Sequence, residues 1–341
     1  MSLRILTRLV PLCAATALTL APVAAADAAH TYLILPFEDS APDGSRDWLQ
    51  EAMALSLGDY FLGAGQQVVE RDDRLAAMEE LDLPVGAPLT LATSLKVGKH
   101  FRTHDDGPIP DRLVVGNFSM EDGQIAITAR VLRLDSNAAA PWREESGSLK
   151  DLLRLQKSLA QALLRGDGAG GFNLAYHSDD ADAGHSFPLV AYENYIRGLV
   201  EPQAAKQISY LRKAIEQSPG YPKACYQLAR SLVRSGKKQE ADGVLRRIAG
   251  EPAPYVAEYH ALKGSLDLDA GRLSEAEAQA RQSLAIRETS AVHVLLARIA
   301  RAQSDPTRAI QELDRAEALD PANPDIDPIR RQLTKDPAPR S

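Results

Sequence analysis

The sequence predicts an α+β protein, an N-terminal α/β layered domain followed by an all-α solenoid of helical hairpins. Two observations carry this. Up to about residue 164, strand-like and helix-like apolar patterns alternate, and two alternating runs flank Glu121, Asp122 and Gly123, a hairpin signal. Beyond residue 188 the chain repeats a unit of two amphipathic helices joined by a polar turn, with a period of about 34 residues. The length of 341 residues suits two such domains, and a hydrophobic content of 45% is ample for packed cores.

Residues 1–26 read as a signal peptide. Arg4 and Arg8 precede an apolar run over residues 9–23, and Ala24, Ala25 and Ala26 form a small-residue cleavage site, so cleavage is expected after Ala26. The run is short for a membrane span and holds Pro11 and Pro22. The expected location is therefore the periplasm or the exterior, with no membrane span after cleavage. Cys13 lies inside the apolar run without the small residues that precede a lipidated cysteine. The mature chain then keeps only Cys225, which excludes an intramolecular disulfide. Between Ala224 and Tyr226 on a helix, Cys225 reads as a small buried residue.

The formal net charge is −7. Acidic residues outnumber basic ones over residues 27–188, whereas the remainder is slightly basic. Neither half is basic enough for a nucleic-acid surface, so no nucleic-acid partner is expected.

The domain over residues 27–164 opens with the apolar run 31–37 (TYLILPF), read as a buried strand. Residues 38–46 are rich in Asp, Ser, Pro and Gly and form a turn, with Asp43 or Ser45 available to cap the next helix. That helix carries Trp48, Leu49, Met53, Leu55, Leu57, Tyr60 and Phe61, and Gly63 and Gly65 end it. A second strand follows at 67–70, then helices at about 73–81 and 89–101. The runs 113–118 and 125–132 make the hairpin. Residues 142–145 supply a further strand, and 149–164 an amphipathic helix with Leu152, Leu153, Leu155 and Leu159.

Residues 35–39 (LPFED), Trp48-Leu49, Val114-Val115-Gly116, the 124–134 strand, Trp142 and Leu155-Gln156 resemble the TolB-like N-terminal domain over about residues 31–164. Bacterial proteins of that kind pair a small α/β domain with helical repeats. The resemblance implies an assembly or scaffolding role and brings no catalytic residues. Residues 100–111 depart from the pattern as an extra loop.

Residues 165–187 are expected to be a flexible acidic linker. The glycine-rich stretch 166–171 lacks the preceding strand and following helix of a phosphate-binding loop. The stretch 177–185 holds His177, His185 and three aspartates, side chains compatible with zinc. A solvated hinge without groups to orient such ligands is the alternative there.

Residues 188–334 hold four repeats and a capping helix, with residues 335–341 a disordered tail. In the best-formed unit, 290–321, small or apolar residues stand at Leu296, Ala297, Ala300, Ala309, Leu313 and Ala316, and Pro321 closes it. Units at 222–252 and 257–288 repeat the spacing, 191–219 is a shortened first copy, and 324–333 caps the stack. These spacings resemble tetratricopeptide repeats. The resemblance implies a concave groove lined from the first helix of each unit: Tyr192 and Tyr195; Tyr226, Arg230 and Arg234; Glu258, Ser265 and Asp269; Arg298 and Arg301. Arginines there can pair with carboxylates of an acidic segment, or be ordinary solvated surface.

No GxSxG, HExxH or P-loop motif occurs. His100 and His104 have metal-ligand spacing, but the chain between and after them breaks into a loop. The expectation is a non-enzymatic envelope scaffold without a cofactor, metal or catalytic residue, whose repeat groove holds a segment of a protein partner of the envelope, with self-association as a further partner mode. The alternative is a metal- or small-ligand-binding periplasmic protein.

Overall fold

The computed structural model describes residues 29–41, 46–84, 88–101, 109–168, 188–248 and 254–335. The segment expected to be a signal peptide, Asp43 and Ser45, His104, residues 169–187 with the histidine-aspartate stretch, and the end of the chain lie outside the described residues.

The sheet domain is built on β1 (Thr31–Ile34), β2 (Glu38–Asp39), β3 (Gln67–Val68), β4 (Arg112–Glu121), β5 (Gln124–Arg133) and β6 (Arg143–Ser148). Strand order is β3-β1-β4-β5-β6, with β2 also pairing β4. β1 runs parallel to β3 and β4, while β4, β5 and β6 form an antiparallel meander. The hairpin turn is Asp122-Gly123, both at positive φ (48° and 75°). That conformation matches the twist of the strands it joins and is one that glycine adopts without steric cost.

Because side chains alternate along a strand, β4 and β5 feed two cores. Val114, Phe118, Ile125, Ile127 and Val131 face α1 (Asp47–Gly63) and α4 (Leu152–Asp167), meeting Met53, Leu57, Phe61, Leu155 and Leu159. Leu113 and Leu132 face the other way. With Leu33 and Leu35 they bury Met78 of α2 (Arg71–Glu80) and Val97 of α3 (Leu91–His100).

Three local differences from the sequence reading have physical causes. The strand expected over 31–37 stops at Ile34, since Pro36 has no N–H to give to the ladder. The turn expected from 38 begins with β2. The helix expected over 149–164 starts with a 3-10 turn, Leu149–Asp151, and runs on to Asp167. Asp167 is buried, and its carboxylate accepts from Arg112 Nε at 2.7 Å, Tyr32 OH at 2.9 Å and Arg133 Nε at 3.3 Å. Those bonds hold the last helical turn on the sheet, so residues 165–167, expected in the linker, belong to α4.

The C-terminal half consists of the pairs α5 (Leu189–Val200) and α6 (Ala204–Gln217), α7 (Pro222–Arg234) and α8 (Lys238–Leu245), α9 (Val256–Asp269) and α10 (Leu273–Ile286), and α11 (Ser290–Ala302) and α12 (Pro306–Leu319). α13 (Ile326–Lys335) closes the stack, burying Ile326 and Ile329 against Val294, Ala297, Leu313 and Ala316. A terminal repeat needs such a cover. Asp305 caps α12, accepting from Arg308 N at 3.0 Å, and Pro306 fills the first helical position. Two neighbouring hairpins are pinned alike: His260 to Gln279 at 2.8 Å and His293 to Glu312 at 2.7 Å.

The sheet domain and the first repeats share a core. One cluster of buried side chains contains Trp48, Ala52 and Tyr60 of α1, Leu155 and Leu159 of α4, and Tyr192, Tyr195, Tyr226 and Leu228 of the solenoid.

Candidate functional site

Tyr192, from the first helix of the solenoid, packs against α1. The Tyr192 hydroxyl donates to Ala52 O at 3.2 Å and Gln156 Oε1 at 3.3 Å, and its ring meets Trp48 edge-on at 6.1 Å. Burial pushes the Tyr192 hydroxyl up to about 12. Tyr195 follows on α5, its ring 5.2 Å from Tyr221. On α7, Tyr226 stacks on Tyr255 at 5.7 Å, and burial again raises its pKa, to about 12. Tyr192, Tyr195 and Tyr226 are all buried.

The end of α1 is gripped by charge. Asp59 accepts from Lys223 Nζ at 3.1 Å and from Tyr255 OH at 2.7 Å. The Asp59–Lys223 pair is nearly out of solvent, with side-chain exposures of 11% and 8%. The Tyr255 phenol is kept well above its ordinary pKa, first by burial and then by the Asp59 carboxylate.

The arginines lie farther along. Arg230 is exposed, stacks over the Tyr226 ring at 5.7 Å and donates to Gln227 at 3.3 Å. Arg234 is exposed on the last turn of α7. Arg298 is half-buried and 3.5 Å from Asp269, which also takes Lys238 at 2.7 Å. Arg301 bonds Gln332 of the capping helix, and Glu258 pairs with Arg287. The structure thus separates the sequence-predicted set into two groups. Tyr192, Tyr195 and Tyr226 pack inside the molecule, Tyr192 against α1, whereas Arg230, Arg234 and Arg301 reach solvent, with Arg298 tied between repeats.

Residues 201–266 match the tetratricopeptide repeat family model. They run through α6, α7, α8 and most of α9, so tetratricopeptide repeats occupy this part of the helical stack. Among solved structures, the chain is similar to YrrB, a TPR protein described as having an unusual peptide-binding site, at 18% identity over 41% of this chain and 74% of that one, with a TM-score of 0.37. MamA from Desulfovibrio magneticus RS-1 is similar at 17% identity over 44% of this chain and 94% of that one, TM-score 0.35. The LpoB C-terminal domain from Salmonella enterica is similar at 9% identity over 35% of this chain and 82% of that one, TM-score 0.28. No curated protein matches the sequence.

Three residues at the contact with α1 were not singled out from the sequence. Lys223 had a signal, since it stands three residues before Tyr226 on the same helix, a spacing that puts the two on one face. Asp59 had another, as a carboxylate between Leu57, Tyr60 and Phe61 on an otherwise buried helix. Tyr255 precedes α9 and carries no such mark. His100 is accounted for by its bond to Glu80 at 2.7 Å across α2 and α3. Among the described residues, no group of three or more His, Cys, Asp and Glu side chains could hold a metal ion, and no helix is long and apolar enough to cross a membrane. Cys225 is buried, and burial raises its thiol to about 11.

Proposed function

We propose that this protein is a non-enzymatic interaction scaffold of the cell envelope. The signal peptide over residues 1–26 exports it to the periplasm, the TolB-like domain docks to an envelope component or self-associates, and the repeat groove holds a segment of a partner protein. The observation that carries the reading is the division of the first helices. Of their initial aromatic residues, Tyr192 bonds the chain's own α1 and Tyr195 and Tyr226 are buried, while Arg230 and Arg234 remain exposed on α7. Stacked repeats of this kind create extended binding surfaces, and exposed guanidinium groups suit carboxylates of an extended acidic segment. In this reading Arg230, Arg234, Arg298 and Arg301 contact the partner, whereas Tyr192, Tyr195 and Tyr226 shape the groove by fixing it to the sheet domain.

Photo-cross-linking in intact cells tests this. A cross-linker replacing Arg234 gives a discrete adduct with an envelope protein, and Arg230→Glu abolishes it. A cross-linker at Gln311, exposed on the outer helix α12, gives none. The same adducts from both positions, or none from Arg234, would contradict the proposal.

A further inference from the structure

A second site lies in the sheet domain. α2 and α3 cover the part of their sheet face around Leu33, Leu35, Leu113 and Leu132. Beyond α3 the same face continues with Val115, Asn117, Thr128 and Arg130, all only half-buried. A cleft of about 140 Å³ opens there, lined by Leu91, Val115, Asn117, Arg130 and Trp142, with Glu38 on its wall.

Its chemistry is two-sided. Trp142 and Leu91 are among the most exposed large hydrophobic side chains, at 49% and 45%, and both border this cleft. The Arg130 guanidinium lies over the Trp142 ring at 4.5 Å, which occupies its face and leaves its N–H edge. Arg130 Nε is buried and bonds no acceptor among the described residues, and an unmet buried donor is destabilising until a ligand supplies the acceptor. Asn117 takes the Thr128 hydroxyl on its Oδ1 at 2.7 Å, so its NH2 group is the end offered to a ligand. The Glu38 carboxylate is engaged through Oε1 by Leu89 N at 2.8 Å. One buried donor without an acceptor, Arg130 Nε, and the Asn117 amide thus stand beside an exposed aromatic and aliphatic wall.

We infer that this cleft binds a carboxylate carried next to an apolar side chain, as at the C-terminus of a protein chain. The carboxylate accepts from Arg130 and the Asn117 amide, and the apolar side chain lies on Trp142, Leu91 and Val115. Pockets for whole small molecules or cofactors measure about 300–1,000 Å³. This cleft is smaller, of a size for one side chain and one carboxylate. Capture of a chain terminus is an established recognition mode. The inference does not depend on the repeat groove, which lies on other elements.

The test uses five-residue peptides, acetyl-Gly-Ser-Gly-Ser-X, with X as Leu, Val, Met or Phe, each with a free C-terminal carboxylate and as the C-terminal amide. Binding to the whole protein is followed by calorimetry and by tryptophan emission, to which exposed Trp142 contributes. At least one free-acid peptide is expected to bind with Kd at or below about 1 mM and to shift the emission, with the amide about tenfold weaker. Arg130→Gln weakens the acid by about the same factor and leaves the amide unchanged. Comparing acid with amide on the unmodified protein decides the question even where a variant folds poorly. Equal binding of acid and amide, wild-type affinity in Arg130→Gln, or no binding of any acid up to about 1 mM would each overturn the inference.

Discussion

Lys223, at the start of α7, donates to Asp59 of α1 across 3.1 Å, and the Tyr255 hydroxyl reaches the other carboxylate oxygen at 2.7 Å. This places a buried ion pair between the sheet domain and the repeats. Removing one partner strands a desolvated charge, whereas replacing both with apolar or neutral groups strands neither. Asp59→Ala is therefore expected to destabilise the protein by about 3–5 kcal/mol. The double variant Asp59→Ala with Lys223→Met should lose clearly less, a coupling that chemical denaturation of the four proteins of the cycle measures directly.

Asp167 closes the sheet domain in a similar way, with a side chain of 0% exposure between Arg112 and Arg133. Asp167→Ala leaves Arg112 buried without this carboxylate and frees the end of α4. A loss of about 3 kcal/mol is expected, together with faster amide exchange over residues 164–167. Unchanged exchange there would remove the anchoring role.

The repeat-equivalent pairs His260–Gln279 and His293–Glu312 predict which substitution the last repeat tolerates. Glu312→Gln recreates the neighbouring repeat's pair and is expected to cost less than about 1 kcal/mol. Glu312→Ala removes the partner of Nδ1 on buried His293, leaving Glu288 on Nε2 at 3.0 Å, and should cost about 1–3 kcal/mol. Equal thermal shifts for the two variants would show that the bond contributes little.

Burial makes the folded protein sensitive to alkali. Burial raises Cys225 from 9.0 to about 11, so below pH 9 both folded and unfolded thiols are protonated and stability is full. Between these values only the unfolded chain ionises, and stability falls as pH rises. Tyr192 and Tyr226, raised from 10.0 to about 12, extend the loss upward. Urea titrations from pH 8 upward should show a decline on the order of 2 kcal/mol per group. At pH 8 the Cys225 thiol should react with a disulfide reagent only as fast as the protein opens.

The repeats were legible because the tetratricopeptide pattern is local. Small residues such as Ala297, Ala300 and Ala309 mark where one helix approaches the next, and the hairpin was legible through Asp122-Gly123. The shared core was not. Tyr192 announces burial or groove lining in the sequence, but no spacing says that α1 is what it meets, because that contact joins segments more than 130 residues apart (Tyr192 to Ala52, |i−j| = 140). Position within the repeat predicts a direction for a side chain; whether chain or solvent lies in that direction is set by the fold as a whole. Asp167 was hidden differently, by glycine neighbours that read as linker while its carboxylate held the helix in place.

The sheet domain and the first repeats share one core through α1. Native-state hydrogen exchange under increasing denaturant measures this most directly. Amides of α1 and α5 are expected to open with the same free energy, and Asp59→Ala to lower both together. Contradiction would come from α5 and α7 opening at a free energy well below that of α1 and unchanged by Asp59→Ala.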